Sequence, residues 1–259
     1  MRVTSPASSA ITSGVPCAVV VVPAHDESLV LPDCLAALAR AVRRVDGPVD
    51  VVIVLDDCDE ATAMAARAGV AAHGDTRWRV RHIDSRTVGA ARAAGFAHAA
   101  WDDRTWFATT DADSRVGDDW LTTHLALAAA GADVVAGLVE PDDRQHWSTT
   151  MTELYEAHYR RVDGHGHVHG ANLGFRASVY HRIGGFRSMA LDEDVDLVSR
   201  ASLSGAVVAR TALAPVLTSV RESGRTAGGF AGFMRDLRQL ADVTDGTDDT
   251  DVIAEQRTA

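Results

Sequence analysis

Short apolar segments alternate with helical patterns through the first half of the chain. The apolar segments are continuous and rich in valine, which is typical of strands that are buried on both faces. Between them, apolar residues recur every three or four positions, as on one face of an amphipathic helix. The pattern predicts strands at residues 17–22, 49–55, 78–83, 105–110 and 132–139, and helices at residues 31–42, 60–68, 87–100 and 118–130.

The second half of the chain has a less regular pattern. Alternating strands and helices nevertheless predict an α/β fold with a mainly parallel central sheet and helices on both of its faces. The Ser/Thr/Ala-rich residues 1–15 and the acidic residues 241–259 are expected to be flexible. Helices are expected at residues 147–161, 192–203 and 226–240, with a short one ending at Ile183, and strands at residues 171–175 and 206–213.

Composition narrows the class of protein. The chain has 259 residues and 46% hydrophobic content, enough for a large core. Its 36 acidic and 25 basic side chains give a net charge of −11, so no nucleic-acid partner is expected and attachment to anionic lipid is disfavoured. The three cysteines are widely spaced, no apolar run is long enough for a transmembrane segment, and the N-terminus lacks a signal-peptide pattern. We therefore predict a cytoplasmic protein.

Three predicted strands end in polar clusters, which are His25-Asp26-Glu27, Asp56-Asp57 and Asp111-Ala112-Asp113. Because ligands of parallel sheets bind at the carboxyl ends of the strands, the three clusters are expected to converge on one site. The carboxylates of Asp111 and Asp113 suit Mg²⁺ or Mn²⁺, which would hold a diphosphate. The alternative is that these aspartates only stabilise a turn.

Other side chains at the strand ends have nucleotide-binding chemistry. Glu27 and Asp57 can accept hydrogen bonds from a ribose or a base, although both could instead cap helices. Arg92 lies one turn into a predicted helix, and an arginine near a helix N-terminus suits a diphosphate. Solvent exposure of the Arg92 side chain is the alternative.

The pair Glu193-Asp194 belongs to a stretch with four acids in five residues. Clustered carboxylates raise one another's pKa, which suits a general base, whereas a solvated helix start is the alternative. Further upstream, His165, His167 and His169 alternate with other residues in a glycine-rich segment. A mobile loop is favoured there over a three-histidine metal site, because a second class of ligand is not nearby.

In their order and spacing, these motifs resemble those of the GT-A glycosyltransferases of family 2, over roughly residues 17–235. His25 and Asp26 replace residues that are commoner in the family, and the family's late metal-binding histidine has no counterpart, since no histidine follows residue 200. The Gln-x-x-Arg-Trp motif of processive synthases is also missing, which points to transfer of a single sugar. The matching segments are Pro23-Ala24-His25-Asp26-Glu27, Asp56-Asp57, Gly89 to Arg92, Asp111-Ala112-Asp113, residues 169–176, Gly184-Gly185-Phe186 and Glu193-Asp194.

The resemblance implies a GT-A fold, which is a Rossmann-like α/β domain with a C-terminal acceptor-side region. Residues 16–140 would form the nucleotide-sugar-binding half and residues 141–240 the acceptor-binding and catalytic half. The implied reaction is a metal-dependent, inverting transfer of one sugar from a UDP-sugar, or a GDP-sugar, to a hydroxyl of a small molecule, lipid or glycan. A homodimer is compatible with the sequence. Nucleotidyl or phosphoryl transfer, or binding of sugar nucleotides without catalysis, are the alternatives.

The resemblance also implies roles for individual residues. Asp194, assisted by Glu193, would be the general base, and Asp113, with Asp111, would bind Mg²⁺ or Mn²⁺. The acceptor and donor-sugar side would include His169, Gly170 and Asn172. The nucleotide would contact Pro23, Ala24, His25, Glu27, Asp57, Arg92, Asp111 and Ala112.

Overall fold

The computed structural model describes residues 17–73, 77–189, 191–219 and 229–256. The predicted flexible leader, residues 1–15, lies outside the described residues. The strands are β1 (Ala18–Ala24), β2 (Val49–Asp56), β3 (Trp78–Ile83), β4 (Trp106–Thr109), β5 (Ser114–Arg115), β6 (Val134–Pro141), β7 (Leu173–Arg176) and β8 (Val208–Thr218). The helices are α1 (Leu31–Val42), α2 (Glu60–His73), α3 (Val88–Phe96), α4 (Trp120–Ala129), α5 (Thr149–His158), α6 (Ala177–Arg182), α7 (Glu193–Leu203) and α8 (Gly229–Gln256).

All eight strands form one mixed sheet in the order β3-β2-β1-β4-β7-β6-β8-β5. The first four strands of this order are parallel, as expected from the sequence. Strand β7 is antiparallel to both β4 and β6, and the short β5 is antiparallel to β8. The predicted α/β class is therefore confirmed, and the parallel arrangement is concentrated in the first half of the chain.

Both faces of the sheet are buried, which explains the continuous apolar strands. Val20 and Val22 of β1 belong to a core with α1, whereas Val19 and Val21 belong to a core with α3. Successive side chains of a strand point to opposite faces, so every position of β1 is covered by one helix layer or the other. A Cβ on Gly95 of α3 would lie 2.4 Å from Val21, so this glycine permits α3 to pack directly on β1.

Several boundaries in the second half differ from the sequence prediction. Residues 170–172 form a 3₁₀ turn instead of the start of a strand, and β8 continues to Thr218 beyond the expected end at residue 213. Helix α8 extends to Gln256 and so includes most of residues 241–259, whose expected flexibility stays a prediction. Once a helix is nucleated each further residue adds one hydrogen bond, so acidic composition alone does not end it. In the part of the chain that the structure describes, a helix with the length and apolar character of a membrane span is not found.

Candidate active site

A cavity of about 1070 Å³ opens at the carboxyl ends of β1, β2 and β4. The loop before β7 and the starts of α7 and α8 complete its lining. The convergence of three polar clusters that we inferred from strand order is therefore present in the structure. Every residue expected at the site lines this cavity except Asn172.

Asp56 organises the first edge of the cavity. Its carboxylate accepts hydrogen bonds from the backbone N–H groups of Ser85 at 2.7 Å, Arg86 at 2.9 Å and Thr87 at 3.1 Å, and from the Ser85 hydroxyl at 2.9 Å. These donors belong to the segment that leads into α3, so Asp56 fixes the start of that helix. Its neighbour Asp57 adopts a positive φ of 52° and faces the cavity.

Asp57 forms an ion pair with Arg86, whose Nε lies 2.8 Å from the Asp57 carboxylate. Both side chains are substantially exposed, at 41% for Asp57 and 72% for Arg86, so this pair can open to admit a ligand. On the neighbouring strand, the imidazole Nδ1 of His25 hydrogen-bonds the backbone carbonyl of Asp56. This contact ties the end of β1 to the end of β2.

Arg92 links the two groups of acids expected to carry out the chemistry. Its Nη2 donates to the Asp111 carboxylate at 2.6 Å, and its Nη1 donates to Glu193. The side chain is only 3% exposed, and the guanidinium lies 5.6 Å from the centre of the Phe186 ring. A Cβ on Gly170 would lie 2.2 Å from Arg92, so a glycine is needed there for the close approach.

This geometry changes the interpretation of Arg92. The sequence suggested either a diphosphate contact or an exposed side chain, and the structure shows a buried one between two carboxylates. Two of the five N–H donors of the guanidinium bind these carboxylates, and Arg92 also lines the cavity. Burial depresses the pKa of Arg92 while Asp111 and Glu193 raise it, and the net shift is upward, so the guanidinium stays charged.

Asp194 is held at the start of α7 by two backbone N–H groups. Its Oδ2 accepts from Gly170 at 2.6 Å and its Oδ1 accepts from Val195 at 2.8 Å. Burial raises the pKa of Asp194, and the positive charge of Arg92 partly offsets that rise. Burial likewise raises the pKa of Glu193, again against the effect of Arg92. A carboxylate with a raised pKa is a stronger base than an exposed one.

Asp111 and Asp113 offer only part of a metal site. Within the described ranges, groups of three or more His, Cys, Asp or Glu side chains placed to hold an ion are not found. Asp111 already binds Arg92, while Asp113 lines the cavity and accepts a hydrogen bond from the Ser114 hydroxyl at 3.3 Å. Mg²⁺ commonly binds one or two carboxylates together with substrate phosphates and water. The two aspartates fit a metal that a bound diphosphate helps to coordinate.

Asn172 does not line the cavity, although the sequence placed it on the acceptor and donor-sugar side. Its fully buried amide oxygen accepts from Trp120 Nε1 at 2.8 Å and from His124 Nε2 at 3.0 Å. Its amide nitrogen donates to the carbonyls of Leu138 at 2.8 Å and Ala214 at 3.1 Å. All its hydrogen-bonding capacity is used inside the fold, where it joins α4, β6 and β8 behind the site.

The histidine segment forms an aromatic stack. The ring centroids of His165 and His167 are 5.6 Å apart and those of His167 and His169 are 5.9 Å apart. His169 Nε2 lies 2.8 Å from the Tyr159 hydroxyl, and burial lowers the pKa of His169 to about 3, with the neighbouring histidines adding to the effect. The segment has no helix or strand, as expected for a loop, and its rings pack against Tyr159, which directly follows α5. Tyr159 was not predicted to belong to the site. In the sequence it is distinguished only as an apolar position of the helix predicted at residues 147–161.

The chain matches the sequence family described as "Glycosyl transferase family 2" over residues 19–186, which is more than half of its length. The chain therefore belongs to glycosyl transferase family 2. Membership of this family favours glycosyl transfer over the nucleotidyl or phosphoryl transfer that the sequence also allowed. No curated protein sequence matches the chain.

Solved structures of similar fold include two complexes with sugar nucleotides. Staphylococcus aureus TarS, residues 1–349 in complex with UDP-GlcNAc, is 14% identical with a TM-score of 0.61, covering 87% of this chain and 65% of that one. The mannosyltransferase PcManGT from Pyrobaculum calidifontis, in complex with GDP-Man and Mn²⁺, is 20% identical with a TM-score of 0.61, covering 82% of this chain and 59% of that one. The chain thus spans about three fifths of the length of these structures.

Proposed function

We propose that the chain transfers one sugar from a nucleotide-diphosphate sugar to a hydroxyl acceptor, with a divalent metal at Asp113 and with Asp194 as the general base. The observation that carries this proposal is that Asp113, at the end of the parallel half of the sheet, and Asp194, at the start of α7, line one cavity. That cavity therefore contains both a carboxylate suited to binding a metal and its diphosphate and a carboxylate suited to accepting a proton.

The nucleotide would lie along the ends of β1 and β2. Asp57 and Glu27 line this edge and would accept hydrogen bonds from the base and the ribose, while Pro23, Ala24 and His25 form its floor. A bound Mg²⁺ or Mn²⁺ would neutralise the charge that develops on the leaving diphosphate. Structures of similar fold hold UDP-GlcNAc in one case and GDP-Man with Mn²⁺ in the other, which supports a sugar-nucleotide donor. We retain UDP as the first choice of carrier and GDP as the second.

The transfer step needs one proton acceptor. The acceptor oxygen forms a bond to the anomeric carbon, the bond from that carbon to the diphosphate oxygen breaks, and the hydroxyl proton passes to the Asp194 carboxylate. The hydrogen bonds from Gly170 and Val195 orient that carboxylate, while its burial keeps it basic. A single displacement of this kind inverts the anomeric configuration.

Arg92 acts in this proposal as a positioning residue. Through Asp111 it holds the end of β4, and through Glu193 it holds the start of α7. Since Asp113 and Asp194 are each two residues or fewer from one of these partners, the guanidinium sets the separation between metal site and base. The diphosphate contact that we expected from the sequence stays a prediction, since Arg92 also lines the cavity.

Replacement of the proposed base is the direct test. General-base catalysis typically contributes about 10²–10⁴-fold, so Asp194→Asn is expected to lower kcat by about that factor. Its affinity for UDP or GDP with Mn²⁺ should stay unchanged, as measured by calorimetry. Asp196→Asn is the matched control, because Asp196 lies on the same helix but pairs with Arg200 outside the cavity. Near-normal turnover by Asp194→Asn would exclude Asp194 as the base.

A further inference from the structure

Apolar side chains line part of the cavity, some of them close in sequence to the Glu193-Asp194 pair. Leu191 and Val195 flank the Glu193-Asp194 pair in sequence, line the cavity, and are 40% and 46% exposed. Val168, from the loop before β7, and Phe230, from the start of α8, line the same cavity. We call Val168, Leu191, Val195 and Phe230 the acceptor wall. Covering such exposed apolar side chains with an apolar ligand is favourable, because it removes their surface from water.

His169 extends the acceptor wall without adding charge. Its ring meets the Phe230 ring edge-on, with centroids 5.7 Å apart, and its Nε2 shares a hydrogen bond with the Tyr159 hydroxyl. The imidazole is therefore packed between two aromatic side chains, and its neutral form presents an aromatic surface to the cavity.

The charged part of the cavity disfavours an anionic acceptor. The described lining contains nine acidic residues and two arginines. Arg86 pairs with Asp57, and Arg92 pairs with Asp111 and Glu193. An acceptor that carries a phosphate or carboxylate would add like charge near these acids, whereas an uncharged acceptor avoids that repulsion.

The volume of the cavity is at the upper end of the range for a ligand pocket. Pockets for a single small ligand have volumes of about 300–1,000 Å³, and this one has about 1070 Å³. Asp194 is fixed by the N–H of Gly170, the residue that follows His169. Val195 directly follows Asp194 and Val168 lies two residues before Gly170, so a hydroxyl at Asp194 lies close to members of the acceptor wall.

We propose that the acceptor is an uncharged alcohol or phenol with an apolar body, and that this body binds the acceptor wall. The inference rests on the proposed sugar transfer, since it places the acceptor hydroxyl at Asp194. Hydroxyls that face Leu191, Val195 and Phe230 would lose hydrogen bonds to water, whereas an apolar body would not.

Binding of small hydroxyl compounds to the full chain, with Mn²⁺ and UDP present, tests this inference. The apolar probes are 4-methylumbelliferone and 1-naphthol, and the polar probes are methyl glucoside and maltose. The apolar probes are expected to bind more tightly than the sugars. Loss of apolar contact in a pocket typically costs tenfold or more, so Leu191→Asn should weaken binding of 1-naphthol by about tenfold. Val195→Thr, which keeps the shape of the side chain, should weaken it in the same direction.

Matched control variants distinguish binding at the acceptor wall from nonspecific binding to exposed apolar side chains. Leu203 is 86% exposed on the same helix and Val207 is 57% exposed just after it, and neither lines the cavity. Leu203→Asn and Val207→Thr should leave binding of 1-naphthol unchanged. Tighter binding of the sugars, failure of both apolar probes to bind, or equal effects of Leu191→Asn and Leu203→Asn would overturn the inference.

The thermal midpoint of unfolding, measured on the same protein with UDP or GDP and Mn²⁺, distinguishes failure of the apolar acceptor from failure of sugar transfer. A nucleotide-induced shift without any preference for apolar probes would reject the apolar acceptor and leave sugar transfer standing. Binding of the probes that depends on Leu191, without any nucleotide-induced shift, would reject sugar transfer and leave the apolar site standing.

Discussion

At the scale of single residues, Arg92 shows how far a motif can be interpreted from sequence. Its distance from Gly89 identified it as part of the site, but sequence spacing gives no information about partners from distant segments. Glu193 lies 101 positions later in the chain, and only the packing of α3 against α7 brings the two together. The residue was therefore predictable as a site residue, whereas its partners were not.

Arg92→Met is expected to destabilise the protein by about 3–5 kcal/mol, because it leaves the carboxylates of Asp111 and Glu193 without their buried partner. Arg92→Lys keeps the charge but cannot reach both carboxylates in the same geometry. It should retain most of the stability and still lose at least about tenfold in kcat. Urea unfolding and steady-state kinetics on both variants make the comparison. A Met variant as stable as the wild-type chain would show that the bridge is not structurally important.

At the scale of elements, burial on two faces made the first half of the fold predictable. Strands β1, β2 and β4 are covered on both sides, so their apolar runs stand out from the flanking sequence. Strand β8 is partly exposed. Its pairing with β6 shifts register between Gly137 and Val139 of β6, and β8 contains Ala214 at a positive φ. These irregularities break the periodicity on which sequence interpretation depends. The antiparallel β7 has four residues, and its direction depends on its neighbours instead of its own composition.

The start of α3 depends on Asp56, and its replacement tests this element. Asp56→Asn removes the charge and leaves one acceptor oxygen for four donors, so we expect a loss of about 1–2 kcal/mol. Because the same segment carries Arg86, the partner of Asp57, nucleotide affinity should fall as well. Unfolding in urea and calorimetry with UDP would measure the two effects.

Asp59→Asn is the matched control for this element. Asp59 caps α2 by accepting a hydrogen bond from the N–H of Thr62, at 2.8 Å, and its side chain does not line the cavity. The amide oxygen of asparagine can replace that one contact, since Asn is an equally good N-cap. If Asp59→Asn proved as destabilising as Asp56→Asn, the four-donor arrangement would not explain the effect.

At the scale of the whole molecule, the negative net charge of the chain makes a bound metal important for nucleotide binding. A chain of net charge −11 with an acidic cavity repels a diphosphate, so a cation must offset that repulsion. We expect UDP or GDP with Mn²⁺ to raise the unfolding free energy by about 2.7 kcal/mol at a ligand concentration 100-fold above Kd. The shift should be much smaller in EDTA and in Asp113→Ala. An equal shift with and without metal, measured by thermal unfolding, would contradict the proposed metal role.

The pH dependence of stability tests the network behind the site. His124 is 2% exposed, donates through Nε2 to Asn172, and its Nδ1 is buried with no hydrogen-bond partner within the described structure. Protonation would place a charge on that Nδ1, so burial lowers the pKa of His124 to about 4, against an ordinary value of 6.5. The unfolded chain therefore binds this proton from about pH 6.5 downward, while the folded chain resists it until about pH 4.

Stability should consequently fall as the pH decreases from 6.5 to 4, with His124 contributing about 3 kcal/mol across that window. His124→Gln keeps an N–H donor for Asn172 but cannot titrate, so its slope should be smaller by about one proton, or about 1.4 kcal/mol per pH unit. His169, whose pKa is also lowered, contributes equally in both proteins and does not affect the comparison. Urea unfolding at pH 7, 6 and 5 measures both proteins, and equal slopes for His124→Gln and the wild type would exclude His124 as the titrating group.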